Sequence, residues 1–76
     1  MDKEIVKKLI EETEADVKNT EEQIERSKII ERFQQRKAIK DPKGNDILGK
    51  IQQSIRGLEL KKETSQEFIK FLKENE

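Results

Sequence analysis

One stretch of the chain carries the spacing of a phosphate cradle. Gly44-Asn45-Asp46-Ile47-Leu48-Gly49-Lys50 matches the Gly-x4-Gly-Lys part of a P-loop, in which backbone N–H groups wrap a phosphate and the lysine reaches its outer oxygens. The match stops at Ile51, where Ser or Thr has to hold magnesium, and no strand pattern precedes the glycines. The overlapping run from Asp41 to Asp46 offers carboxylates in the manner of a calcium loop. There Gly44 falls at position four instead of six, and Gln52 stands where a bidentate Glu is needed.

Carboxylates also pair along helix faces: Glu11 with Glu14, Glu12 with Asp16, and Glu21 with Glu25. Such pairs hold hard cations in helical bundles when other donors converge on them. Here there is no histidine and lysines lie a turn away, which is the arrangement of an ordinary solvated face. The chain also lacks Cys, Tyr and Trp, so nucleophile-and-base chemistry is left to carboxylates, lysines and hydroxyls. Lys62, on an otherwise apolar seam, is the one candidate for a desolvated amine, and a snorkelling lysine at a bundle edge accounts for it equally. No nucleophile has a base beside it. The residues assign no catalytic, cofactor-binding or metal-binding site, and a non-enzymatic protein is expected.

Charge is the most informative property. The net charge is zero, yet its distribution is uneven. Residues 1–25 hold nine acids against four bases, residues 26–62 eleven bases against four acids, and residues 63–76 four acids against two bases. The basic stretch contains Arg26, Lys28, Arg32, Arg36, Lys37, Lys40 and Lys43 with Phe33 among them, a pattern that can meet phosphate while an aromatic ring stacks on a base. A solvated face or an ion-pair partner would carry the same residues.

The elements that position these groups are two helices. From residue 2 to about 38 the chain has good helix formers and neither glycine nor proline. Val6, Ile10, Thr13, Val17, Thr20, Ile24 and Ser27 alternate in steps of four and three, a heptad seam that Ile5 and Leu9 widen. Thr20 with Gln23 could cap a new helix, but the seam runs through it without a phase change, which favours one continuous helix. After Ser27 the large apolar residues Ile29, Ile30 and Phe33 leave the seam. Either the helix bends and twists them into the same core, or they form a second face for a partner.

A corner is expected over residues 39–46. Asp41-Pro42 disfavours helix at Asp41, Gly44-Asn45 can take positive φ, and Asn45 or Asp46 can cap a helix that begins at Ile47. From there to about residue 74, Leu48, Ile51, Ile55, Leu58, Lys62, Ser65, Ile69 and Leu72 hold a three-four alternation. Folding at the corner places Ser65 near Thr20 and Lys62 near Ile24 and Gln23, a polar layer with kink points near Thr20 and Ser65. Leu60 and Phe71 lie off this seam.

The expected fold is therefore all-α, an antiparallel helical hairpin in a single domain. A chain of 76 residues that is 45% charged and 30% apolar buries little. Ordering costs roughly 1.5 kcal/mol per residue against about 25 cal/mol per Å² buried, and there are no cysteines to staple the fold. Its composition alone would also suit a disordered segment; the helical periodicity speaks against that. Self-association into a helical bundle is the remaining stabilising device, and Ile29, Ile30, Phe33, Leu60 and Phe71 are the candidate interface. In plan this resembles the small dimeric four-helix regulators of the Rop type, a likeness of architecture that carries over no site residues.

The absence of cysteine and of any run near the roughly 18 residues of a membrane span sets the expectation of a soluble, cytoplasmic protein without a membrane partner. The expected function is that of a homo-oligomer, a dimer foremost, serving as an interaction, adaptor or regulatory module for a protein partner. The alternative is nucleic-acid or nucleotide binding through the basic corner.

Overall fold

The computed structural model describes residues 2–75 as an antiparallel hairpin of two helices. Helix α1 spans Lys3–Lys40 and α2 spans Gly44–Glu74. Asp2 begins α1: its backbone is extended and its carboxylate accepts from the N–H groups of Glu4 at 2.9 Å and Ile5 at 3.4 Å, satisfying donors that no helix can satisfy internally.

The corner is tighter than the residues suggest, and its cap is a different one. Asp41 breaks the helical backbone, at φ −134° and ψ 108°. Its N–H closes α1 on the Lys37 carbonyl, while its carboxylate accepts from Lys43 N–H at 3.0 Å. Gly44 N–H then bonds the Asp41 carbonyl and Asn45 N–H the Pro42 carbonyl. Asp41 thus closes α1 and accepts from the N–H of Lys43, the residue just ahead of α2, which has no side-chain cap of its own; Pro42, with φ preset and no N–H to lose, fits the turn between them. Neither Asn45 nor Asp46 is the cap, the second helix starts ahead of Ile47, and no residue takes a positive φ.

Both helices run uninterrupted through the expected kink points. Thr20 does not start a helix; its hydroxyl donates to the Asp16 carbonyl one turn back, at 2.8 Å. The long dimension of 57 Å is what 38 residues span at about 1.5 Å each, so α1 is close to straight. Nor does α1 bend to bring Ile29, Ile30 and Phe33 inside. The seam continues in phase through Ser27, Glu31, Gln34 and Ala38, all buried or half-buried, while the three large residues stay exposed.

The core is a single row of side chains along the contact between the helices: Val6, Ile10, Val17, Ile24, Ile55 and Leu72, with Thr20 and Gln34 also buried. Leu9 and Ile69 pack against Val6, Ile10 and Leu72 at the end that bears the termini. At the other end Gln34 Nε2 donates to the Gly44 carbonyl at 3.3 Å, and Ala38 lies where α2 comes closest to α1. Ile10 beside Leu72 and Glu21 beside Lys62 fix the register. Thr20 is accordingly level with Lys62, and Ser65 falls about a turn away from its expected neighbour.

Such a hairpin is far from compact. Its surface is 6350 Å², against about 4900 Å² for a globular monomer of this mass. Its radius of gyration is 17.2 Å, against about 11 Å for a compact chain of this length. Among the described residues, no helix is long and apolar enough to cross a membrane.

Candidate functional site: an apolar flank and a basic corner

Two packed helices have two flanks, and here they differ in kind. Counted at about 100° per residue, Ile5, Leu9, Ile30, Phe33 and Lys37 lie to one side of the α1 seam. Ile47, Phe68 and Phe71 lie to the corresponding side of α2. Contacts agree with this assignment. Phe33, Lys37 and Ile47 line one groove across the two helices, and the rings of Phe68 and Phe71 stack at 6.4 Å and 14°. On the opposite flank Ile24, Lys28, Glu59, Lys62, Glu63 and Gln66 line a shallower groove of about 270 Å³. There Lys62 Nζ stands 3.6 Å from Glu21.

Nine large apolar side chains are exposed among the described residues. Six of them, Ile5, Ile30, Phe33, Ile47, Phe68 and Phe71, share the first flank. Ile29 and Leu60, 65% and 64% exposed, face away from the seam on the outer edges of α1 and α2, and Ile39, at the end of α1, lines the corner groove with Phe33 and Ile47. The five candidate interface residues are thus all exposed but do not form one surface. Ile30, Phe33 and Phe71 belong to the flank; Ile29 and Leu60 do not. Ile5, Ile47 and Phe68 join it, and the signal that finds them is the hand of their offset from each seam, a quantity that needs the antiparallel register.

The basic residues are likewise divided. Arg36, Lys37, Lys40 and Lys43 surround a groove of about 740 Å³ at the corner, with Phe33, Ile39 and Ile47 as its apolar lining. Lys37 Nζ sits 5.7 Å from the centre of the Phe33 ring, a cation–π distance, so one face of that ring already has a partner. Lys28 belongs to the opposite flank beside Glu59 and Glu63. Arg26 and Arg32 are exposed on α1 outside both grooves.

The phosphate-cradle spacing is not a cradle. Gly49 and Lys50 lie inside α2, and the N–H groups of Gly44 and Asn45 are used within the corner. The Asp41 carboxylate is engaged as a cap. Among the described residues no three Asp or Glu side chains converge as a metal-binding group would. Lys62 is paired with Glu21, and its side chain is about a third exposed, at 35%, which makes it an edge lysine. Compared with models of protein families, with curated proteins and with solved structures, the chain matches none.

Proposed function

We propose that this protein is a non-enzymatic helical hairpin that associates with copies of itself and serves as a macromolecular interaction module. The observation that carries this reading is the gathering of six exposed large apolar side chains on one flank while the other flank is polar. Single exposed apolar residues need no explanation, but a row of them on one face marks an interaction surface. The excess of surface over a compact monomer points the same way, since a rod with one row of core residues gains from burying a flank. The chemistry for catalysis is thin, with no His, Cys, Tyr or Trp in the chain. Light scattering coupled to gel filtration tests the proposal: the expected mass is a multiple of 9.0 kDa, twice that for a dimer. A cooperatively folded species of single-chain mass at micromolar concentration refutes it.

A second reading is favoured by the corner groove, in which Arg36, Lys37, Lys40 and Lys43 flank Phe33 and Ile47. It makes the corner a site for nucleic acid or a nucleotide, with phosphates on the bases and a base against the apolar lining. Binding to a short single-stranded RNA or DNA should then weaken steeply with salt and fall when Arg36 and Lys40 are replaced by Glu. Binding that ignores salt, or is absent at low salt, removes this reading.

A further inference from the structure

We infer that the surface this hairpin fits is the same flank of a second copy, turned end for end, so that the Phe33–Ile47 patch of each chain covers the Leu9–Phe71 patch of the other. The inference rests on the self-association proposed above and adds which face is used and in which orientation.

Three observations carry it. Apolar side chains stand at both ends of one flank, with Ile30, Phe33 and Ile47 towards the corner and Ile5, Phe68 and Phe71 towards the termini. Those two ends have opposite charge. The flank bears Arg26, Lys37, Lys40 and Lys50 in its corner half and Asp2, Glu12 and Asp16 in its terminal half, with Lys61 between them near the middle. Side by side in the same direction, two copies would set base against base; reversed, they set Arg26 and Lys40 of α1 against Asp16 and Asp2 of the partner's α1, and leave only Lys61 facing its own copy near the axis. The face is also the right size. The hairpin measures 57 by 14 Å along and across, about 800 Å², which is the share each partner contributes to a standard stable interface.

The levels along the rod agree. A twofold axis lying in the contact plane and crossing the rod at its middle, near Glu21 and Lys62, stacks α1 on α1 and α2 on α2. At about 1.5 Å per residue, Phe33 of one copy then comes level with Leu9 of the other and Arg26 with Asp16, while Ile47 reaches about 9 Å beyond Phe71, over the end of the partner's α2. The small residues Ser54 and Gly57 lie along the same flank of α2. Nothing within 4 Å occupies the space a Cβ at Gly57 would take, so the helix can be approached there. The result is a four-helix bundle with a basic corner at each end.

The chain contains no cysteine, so single introduced thiols report the arrangement without ambiguity. Gln23 points out of the flank two residues from the axis, which sets its Cα atoms in two copies about 6 Å apart along the rod, at the edge of the roughly 7 Å that a disulfide spans. Full-length Gln23→Cys should oxidise to a linked dimer. Lys37→Cys should not link to itself but should link when mixed with Ile5→Cys. Phe33→Glu should weaken association by about thirtyfold or more, while Leu60→Glu on the outer edge leaves the mass unchanged. A dimer in which Lys37→Cys links to itself and Gln23→Cys does not overturns the orientation while leaving self-association standing. A dimer that survives Phe33→Glu but not Leu60→Glu overturns the choice of face. A single-chain mass for the unmodified protein removes both this inference and the reading beneath it. Should Phe33→Glu fail to fold, as judged by circular dichroism, the cysteine pattern decides alone.

Discussion

Two glycines of α2 should respond to the same substitution with opposite sign. At Gly49 a Cβ meets nothing within 4 Å, and the backbone is helical with no positive φ. Glycine in a helix interior costs about 1 kcal/mol relative to alanine, so Gly49→Ala recovers that amount, much of it by narrowing the unfolded ensemble. For a domain of this size 1 kcal/mol moves Tm by about 4–8 °C. At Gly44 the same methyl group would stand 3.0 Å from Gln34 Nε2, 3.2 Å from Ala38 Cα and 3.4 Å from Ala38 N. The glutamine amide can swing aside, but it would give up its bond to the Gly44 carbonyl and remain a buried polar group without a partner, at a cost of about 1–3 kcal/mol. The Ala38 backbone cannot swing. The helices would have to part at the corner.

Set against a propensity gain that is smaller in the first turn of a helix, the expected net loss for Gly44→Ala is about 1 kcal/mol, which places its Tm about 4–8 °C below wild type. Thermal melting by far-ultraviolet circular dichroism, at one fixed protein concentration because association raises apparent stability, measures both. A Gly44→Ala protein as stable as Gly49→Ala would refute the close approach of α2 to Ala38, and with it the packing of the corner.

Other changes probe the remaining parts of the hairpin. Ile55→Ala, at the most buried apolar position in the corner half, should cost about 2–4 kcal/mol in a urea titration. Asp41→Ala removes the acceptor for Lys43 N–H and should lower stability by about 1 kcal/mol, whereas the same change at Asp46 should leave the denaturation midpoint unmoved. Thr20 is 3% exposed and its hydroxyl bonds only within its own helix. Thr20→Val therefore leaves no polar group without a partner and should be neutral or stabilising by up to about 1 kcal/mol; a loss beyond that would mean that the hydroxyl serves α2 as well.

The two seams are readable from the residues because helix periodicity is a local property, and every position of the α2 alternation from Leu48 to Leu72 is buried or half-buried. The corner is readable as a corner but not in detail. Asp41-Pro42 announces a break, yet which of Asp41, Asn45 and Asp46 becomes the cap depends on which carboxylate meets a free N–H once the chain has turned. Gly44 suggests a left-handed turn, but its lack of a side chain is used for close approach to Ala38 instead. Register was out of reach at the level of a turn because a heptad seam pairs almost as well when shifted by one repeat. It took the Ile10–Leu72 and Glu21–Lys62 contacts to settle it.

The change of phase after Ser27 is the feature whose meaning the structure alters most. Apolar residues do not follow a bend of α1 into the core; they leave a seam that continues without them. Beyond Ile24 the α1 side of the contact is Ser27, Glu31, Gln34 and Ala38, which the apolar seam of α2 at Leu48, Ile51, Ile55 and Leu58 must accept as neighbours. In that half only Ile55 and Gln34 among the large side chains are buried. The large residues that a lone hairpin would have placed there, Ile30 and Phe33, are on the flank instead. For an isolated hairpin this layout forfeits burial and exposes a phenylalanine that is 60% accessible. For two hairpins laid flank to flank it moves the same side chains from one contact to another, and the polar residues left behind on the seam cost less because Glu31 is only half-buried and the Gln34 amide is bonded to the Gly44 carbonyl. The displacement of apolar residues from seam to flank is thus a loss at one level of structure and a gain at the next, and it is the physical ground on which the assembly is proposed.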